Sequence, residues 1–431
     1  MVACRNVAGE SSRKGSPSGL ILPPGLPQAM HQTVANPAPP ADRVSFSGER
    51  STFRKLVTRG ALLELVTFGF YRFWLATDIR RHLWSHTSVG DDSVEYTGRA
   101  KELLIGFLIA MAILVPVYLV YFLIGLEAEM MQAFASLPLV LFFYLFTEFA
   151  RYRARRYRLS RTLWRGLRFS MGGSGWSYGW RSGLWGLLVV ISLGFALPWR
   201  AAALERFKMR HTAYGSLQGR FDGTGGELFR RAWGLWLSGL LAIAIAFATP
   251  VIASPTSLID AFLLLIVIVF FLLVSPFVYA AFKAIEWRWW VSGLRLGEVC
   301  FESRLAAGAL NGCYWKAVGW SVLFMALLAS WLAGMFWIVG ELFSIGGTVE
   351  QHMLFVSQHP AFLAGSAVGY LLMALAFGAV IRIYLNRDVW ALVAQSTVVH
   401  NLAAADGVSG QGEAVGAVGE GLADGLDVAG F

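Results

Sequence analysis

Two histidines recur in the same company. His86-Thr87 is followed by Gly90 and by Tyr96-Thr97-Gly98, and His211-Thr212 by Gly215 and by Phe221-Asp222-Gly223. Imidazoles at matching positions could relay protons or hold a metal. No HExxH and no acidic cluster accompanies them. They are therefore read as residues that cap turns or strands, and no metal is expected. Ser177 sits in Gly175-Trp-Ser-Tyr-Gly179, the G-x-S-x-G spacing of a nucleophile elbow. That motif needs a strand before it and a helix after it in an α/β sheet. Here it falls in a Gly/Ser/Trp stretch beside many bases, which reads as an interfacial loop.

Four carboxylates lie in or beside apolar runs: Glu64, Glu148, Asp260 and Glu286. A carboxyl at membrane depth is a functional candidate. Arg151 lies near Glu148 and Lys283 near Glu286, while Asp260 suits a helix start. Glu64 has only Arg59 nearby and is kept as the membrane carboxyl. Arg155, Arg156, Arg161, Arg165 and Arg168, interleaved with aromatics, suit an amphipathic surface segment and are candidates for lipid head groups. The sequence has no P-loop, Rossmann fingerprint or kinase set. No catalytic residue and no cofactor is expected, and the chain is not read as an enzyme.

These residues must be positioned by an unusual chain. Of 431 residues, 56% are hydrophobic and only 15% charged. Mean hydropathy is +0.56. Soluble domains carry about 25% charged residues. The expectation is an all-α multi-spanning membrane protein of six to eight transmembrane helices, with internal repeats and short cytoplasmic extended elements. The net charge is +9, but the bases flank apolar runs beside Trp and Tyr, so membrane lipid is the expected partner and nucleic acid is not. Cys4, Cys300 and Cys313 offer no paired spacing.

Six apolar runs can cross a bilayer: 103–125, 136–150, 232–251, 258–282, 314–339 and 361–382. Bases crowd one set of connections, and 126–135, 252–257 and 340–360 hold no Lys or Arg. The positive-inside rule then places three helical hairpins in the inner membrane with both termini cytoplasmic. Runs 60–77 and 183–199 are marginal, with Arg54, Lys55 and Arg59 before the first and Arg181 before the second. They are read as re-entrant or interfacial; the alternative is eight full spans. Residues 1–44 and 403–431 read as disordered tails around a polytopic domain of 45–402, with Met30 an alternative start.

Residues 67–103 and 192–228 align without a gap at an offset of 125. The matches include Gly69 with Gly194, Trp74 with Trp199, Arg81 with Arg206, His86-Thr87 with His211-Thr212 and Gly98 with Gly223. Between the histidines and the aromatic-x-Gly, alternation predicts a turn and a short strand. Weaker echoes occur at 152–169 and 282–301, and Phe46-Ser47-Gly48 repeats the aromatic-x-Gly element.

The stretches TFGFYRFWLATDIRRHLWSHTSVGDDSVEYTG, TLWRGLRFSMGGSGWSYG and LPWRAAALERFKMRHTAYG are similar to the YjgN-like family of bacterial inner-membrane proteins. The resemblance covers roughly residues 44–400. It implies an inner-membrane location and brings no activity or catalytic residue. Two roles are expected. One is transport or lipid handling through a cavity between repeats. The other is a non-catalytic scaffold or complex subunit with a basic cytoplasmic docking face. A homo-oligomer or a membrane-complex partner fits either.

Overall fold

A computed structural model describes residues 41–127, 132–252, 258–343 and 348–410. Of the expected tails 1–44 and 403–431, residues 1–40 (Met30 among them) and 411–431 lie outside these residues, as do 128–131 of the connection 126–135, 253–257 of 252–257 and 344–347 of 340–360.

The short extended pieces do not stand alone. Ten strands close into one antiparallel barrel: β1 (Ala41–Phe46), β2 (Thr87–Val89), β3 (Asp92–Tyr96), β4 (Thr162–Trp164), β5 (Leu167–Met171), β6 (Thr212–Tyr214), β7 (Leu217–Phe221), β8 (Leu294–Leu296), β9 (Val299–Ser303) and β10 (Thr397–His400). Tight turns join β2 to β3, β4 to β5, β6 to β7 and β8 to β9. One pair, β1 with β10, is drawn from opposite ends of the described chain, with Ala41 opposite His400. Closure leaves no free strand edge.

Five helical excursions connect the other strand ends. The first is α1 (Arg50–Val66) and α2 (Arg72–Ser85), and the second α3 (Ala100–Glu127) and α4 (Gln132–Ser160). The third is α5 (Gly175–Ile191) and α6 (Leu197–Arg210), and the fourth α7 (Gly225–Ile252) and α8 (Leu258–Gly293). The fifth runs through α9 (Asn311–Leu342), α10 (Val349–Gln358), α11 (Pro360–Val380), a π-helix (Ile381–Asp388) and α12 (Val389–Gln395). Each leaves and re-enters the barrel at paired residues: Phe46 with Thr87, Tyr96 with Thr162, Met171 with Thr212, Phe221 with Leu294 and Ser303 with Thr397. All five therefore rise from one rim, and the tight turns occupy the other.

This overturns the expectation of a plain all-α bundle of six to eight spans. Helix dominates, but the fold is organised by a closed barrel. Among the described residues, three stretches are long and apolar enough to cross a membrane: Ala100–Leu123, Asn311–Leu342 and Pro360–Gln395. The misreading has a physical source. Strands of three to six residues carry little period-2 signal, and β1 finds its partner in β10 at the far end of the chain. Such pairing is invisible to local pattern.

The barrel is filled. One apolar cluster draws a residue from every strand: Val44, Val89, Tyr96, Trp164, Phe169, Tyr214, Leu217, Leu296, Val299 and Val399. Alternation sets this inward face. On β7, Gly219 and Phe221 are buried while Gln218 and Arg220 are exposed. Tyr214 is fully buried, and its hydroxyl donates to the Trp164 carbonyl at 2.9 Å. Beyond β10, residues 401–410 cover the turn rim. Leu402 and Ala405 are buried in the same cluster, and Asp406 pairs with Arg165 at 2.5 Å. Ala405 and Asp406 lie inside the stretch 403–431 read as a C-terminal tail, and Leu402 borders it.

The marginal runs are broken-helix hairpins. The chain reverses after α1 at Phe68 (φ 51°) and Gly69 (φ 87°), and after α5 at Leu193 (φ 50°) and Gly194 (φ 86°). Thr67 and Ser192 bridge these breaks. Their hydroxyls accept from the Tyr71 and Ala196 amides at 2.9 and 3.0 Å. Both tips expose apolar side chains, among them Val66, Phe68 and Phe70, then Val190, Ile191 and Leu193. Each hairpin returns to the rim it left, and neither contains a helix long and apolar enough to cross a membrane.

Candidate functional site: polar clusters at the helix roots

The junction between helix and barrel is built from threonines. Thr87, Thr162, Thr212 and Thr397 each open a strand. Each donates its hydroxyl to a carbonyl four residues back, in Leu83, Arg158, Lys208 and Val393, at 2.7 to 2.9 Å. These satisfy carbonyls orphaned at a helix end. Two threonines also accept from an indole of another excursion: Trp84 reaches Thr162 at 3.0 Å and Trp390 reaches Thr87 at 2.9 Å.

The paired histidines belong to this collar. His86 Nδ1 lies 2.7 Å from the His82 carbonyl and His211 Nδ1 2.8 Å from the Phe207 carbonyl. Both cap the last turn of a helix. No group of three or more His, Cys, Asp or Glu residues suited to a metal occurs among the described residues. Gly98 and Gly223 let an aromatic ring fold back onto the chain, because a Cβ there would strike the Tyr96 or Phe221 ring. Arg206 donates to the Gly223 carbonyl at 3.3 Å, whereas Arg81 is exposed beside Asp78. Trp74 packs near Phe73, Leu103 and Tyr157, and Trp199 near Phe229. The repeated residues are thus spread around the collar and form no single centre.

Glu64 is buried, and Arg382 of the π-helix grips it through two bonds of 2.9 and 3.0 Å. Sequence reading sought a partner nearby and missed this one. Glu148 is equally buried, with Arg151 at 2.8 Å and Arg200 at 3.3 Å. Arg200 also donates to the hydroxyls of Tyr144 and Ser182 at 3.0 and 2.9 Å. One turn nearer the barrel, Glu205 pairs with Lys208 and, at 3.4 Å, with Arg155. Burial pushes the Glu205 carboxyl up, but Lys208 and Arg155 outweigh it and hold it low. Burial likewise pulls the Lys208 ammonium down against the pull of Glu205. These groups lock α4, α5 and α6 together.

The head-group candidates are mostly engaged within the protein. Arg155 meets Glu205, Arg161 meets Glu102 at 2.8 Å, and Arg165 meets Asp92 and Asp406 at 2.5 Å. Arg156 places its Nε in a buried position, and Arg168 stands on β5 opposite Leu163. Ser177 lies in the first turn of α5, its amide facing the Ser174 hydroxyl at 3.5 Å, and no His or carboxylate bonds its hydroxyl among the described residues.

Residues 41–425 match the model of a family described as bacterial protein of unknown function, DUF898. The chain belongs to DUF898. The matched region begins at the first residue of β1 and runs beyond the segment over the turn rim, so barrel closure lies inside what defines DUF898. No curated protein and no solved structure matches the chain. DUF898 membership brings no activity, and three apolar helices make it compatible with a membrane location.

Proposed function

We propose that this DUF898 member is a non-catalytic scaffold of the bacterial inner membrane, with its barrel on the cytoplasmic side and its long excursions in the bilayer. The observation that carries this reading is the filled barrel: a cluster fed by all ten strands occupies the interior, and residues 401–410 cover one end. A rigid collar anchored by helices presents a polar outer face, including Ser93, Glu95, Gln218 and Arg220. The concentration of bases at the barrel-side connections supports the orientation. Within DUF898, the motifs around Trp74, His86 and Trp164 support placement with the YjgN-like proteins.

The test is reconstitution into vesicles of phosphatidylethanolamine and phosphatidylglycerol. Proton leak, phosphate uptake and exchange of fluorescent lipid between leaflets are expected to equal those of protein-free vesicles. Saturable flux of any of the three overturns the scaffold reading. In cells, photo-crosslinkers at Ser93 and Gln218 are expected to yield discrete adducts. For orientation, single cysteines at Ser93 and Ser216 are expected to label only after the inner membrane is permeabilised.

A further inference from the structure

The first short hairpin differs from the second in one respect that its fold does not require. The inward seam of α1 is Phe53, Val57, Gly60 and Glu64, at helical spacing. Its outward face begins with Arg54, Lys55, Thr58 and Arg59, all exposed. None of the three bases forms a salt bridge with a described residue. That contrasts with Arg155, Arg165, Arg200 and Arg382, which all do. Below the bases the same face turns apolar. Leu62 is 61% exposed, Val66 74% and Phe68 90%. An open groove of about 520 Å³ runs between the two zones, lined by Arg54, Lys55, Thr58, Arg59, Leu62 and Leu63.

The second hairpin lacks this arrangement. The outward face of α5 carries Trp176, Trp180, Leu184 and Leu187. Its one base, Arg181, lies over the Phe207 ring at 4.5 Å. Two hairpins of one design thus present apolar tips, and only one adds a cluster of exposed cations above its tip.

Three exposed cations without a salt bridge to a described residue, above a strip of exposed leucine, valine and phenylalanine, match one chemistry: a phosphate-bearing head group with acyl chains beneath it. Lys and Arg stems run along apolar surface while the charged ends stay with the phosphates. Juxtamembrane bases gain free energy from an anionic leaflet. We propose that the outward face of α1 is a binding site for an anionic phospholipid. The head group lies against Arg54, Lys55 and Arg59, and an acyl chain lies along Leu62 and Val66. The site rests on the membrane placement proposed above and is independent of the scaffold role, which the flux assay tests separately.

The experiment uses the full chain in a neutral detergent. Thermal unfolding and native mass spectrometry are recorded with added phosphatidylglycerol, with phosphatidylcholine and with inorganic phosphate. Phosphatidylglycerol is expected to raise Tm and to be retained on the protein, and the other two are not. High salt should shrink the shift, because exposed charges are screened. In the triple variant Arg54→Gln, Lys55→Gln, Arg59→Gln, affinity for phosphatidylglycerol should fall about a hundredfold, from about 1 kcal/mol for each base. Its lipid-free Tm should stay unchanged, since the side chains are exposed. The double variant Arg54→Lys, Arg59→Lys, with Lys55 retained, is expected to keep the shift. If the glutamine triple folds and keeps the full phosphatidylglycerol shift, or if phosphatidylcholine or phosphate shifts wild type equally, the site is refuted. Should the glutamine triple fail to fold, a salt-insensitive shift in wild type refutes it instead.

Discussion

Glu64 and Arg382 lie 318 residues apart in the chain and meet through two bonds, Nη1 to Oε2 at 3.0 Å and Nη2 to Oε1 at 2.9 Å. The pair joins the end of α1 to the π-helix that leads into the last strand. It therefore links the first excursion from the barrel to the fifth, across the seam where β1 meets β10.

Removing one partner strands the other. Glu64 is 5% exposed and Arg382 25% exposed. Breaking a buried pair costs about 3–5 kcal/mol, because the remaining charge is uncompensated. Glu64→Ala is expected to fall in that range, tempered by the partial exposure of Arg382. The double variant Glu64→Leu, Arg382→Met should recover most of the loss. Thermal unfolding of wild type, Glu64→Leu, Arg382→Met and the double variant in detergent gives the coupling energy, and additive losses would show that the pair carries none.

The threonine collar predicts a graded series. Thr212→Val and Thr397→Val each remove one bond to a helix carbonyl, about 1 kcal/mol. Thr87→Val and Thr162→Val also leave the Trp390 and Trp84 indoles without an acceptor. A buried donor left unpaired adds about 1–3 kcal/mol. The order of unfolding temperatures should separate the two pairs, and equal losses in all four would contradict the role given to the indoles.

His82 makes stability depend on pH. Its ring is buried between Phe53 and His86, and burial, with His86 and Arg387 nearby, lowers its pKa to about 4. Unfolded chain takes up the proton near pH 6.5. The unfolded state thus binds more protons through the interval from about 6.5 down to about 4, and stability falls with pH across it. His82→Phe removes this dependence at that position. Melting curves at pH 7.5 and 5.0 are expected to differ less for the variant than for wild type.

The cover over the turn rim is separable from the barrel. Ending the chain after Asn401 keeps β10 but removes Leu402, Ala405 and the Asp406 partner of Arg165. The barrel core is then open to solvent at one end. Binding of an apolar dye should rise and Trp emission should shift to the red, while far-ultraviolet circular dichroism keeps its helical form. An unchanged dye signal would show that residues 402–410 do not seal the core.

Local elements were legible in the sequence, whereas the barrel that organises them was not. Arg-rich exits, apolar runs and the aromatic-x-Gly pieces are local signals, so run 103–125 appears in α3 and the strand around Tyr96 in β3. Phe68-Gly69 and Leu193-Gly194 occupy matching positions in the alignment and take matching positive φ. His86 and His211 also take matching places, each at a helix end with Nδ1 on a carbonyl four residues back. The partners of Glu64, Glu148 and Glu205 could not be read in full. Arg382, Arg200 and Arg155 lie on other helices, and sequence distance says nothing about which helices pack together.

The amino-acid sequence by itself determined the long apolar runs, the distinct nature of the short runs 60–77 and 183–199, and the positions of several extended pieces. Each of these depends on hydropathy, turn residues and helix-end chemistry within a few residues. The tertiary structure alone decided that those pieces close into a barrel, that its interior is packed, and that all five excursions rise from one rim. The physical reason is that a strand of three residues has no stability alone. Its backbone groups find partners only when the neighbouring excursions return, and the last partner of β1 arrives with β10, at Thr397–His400.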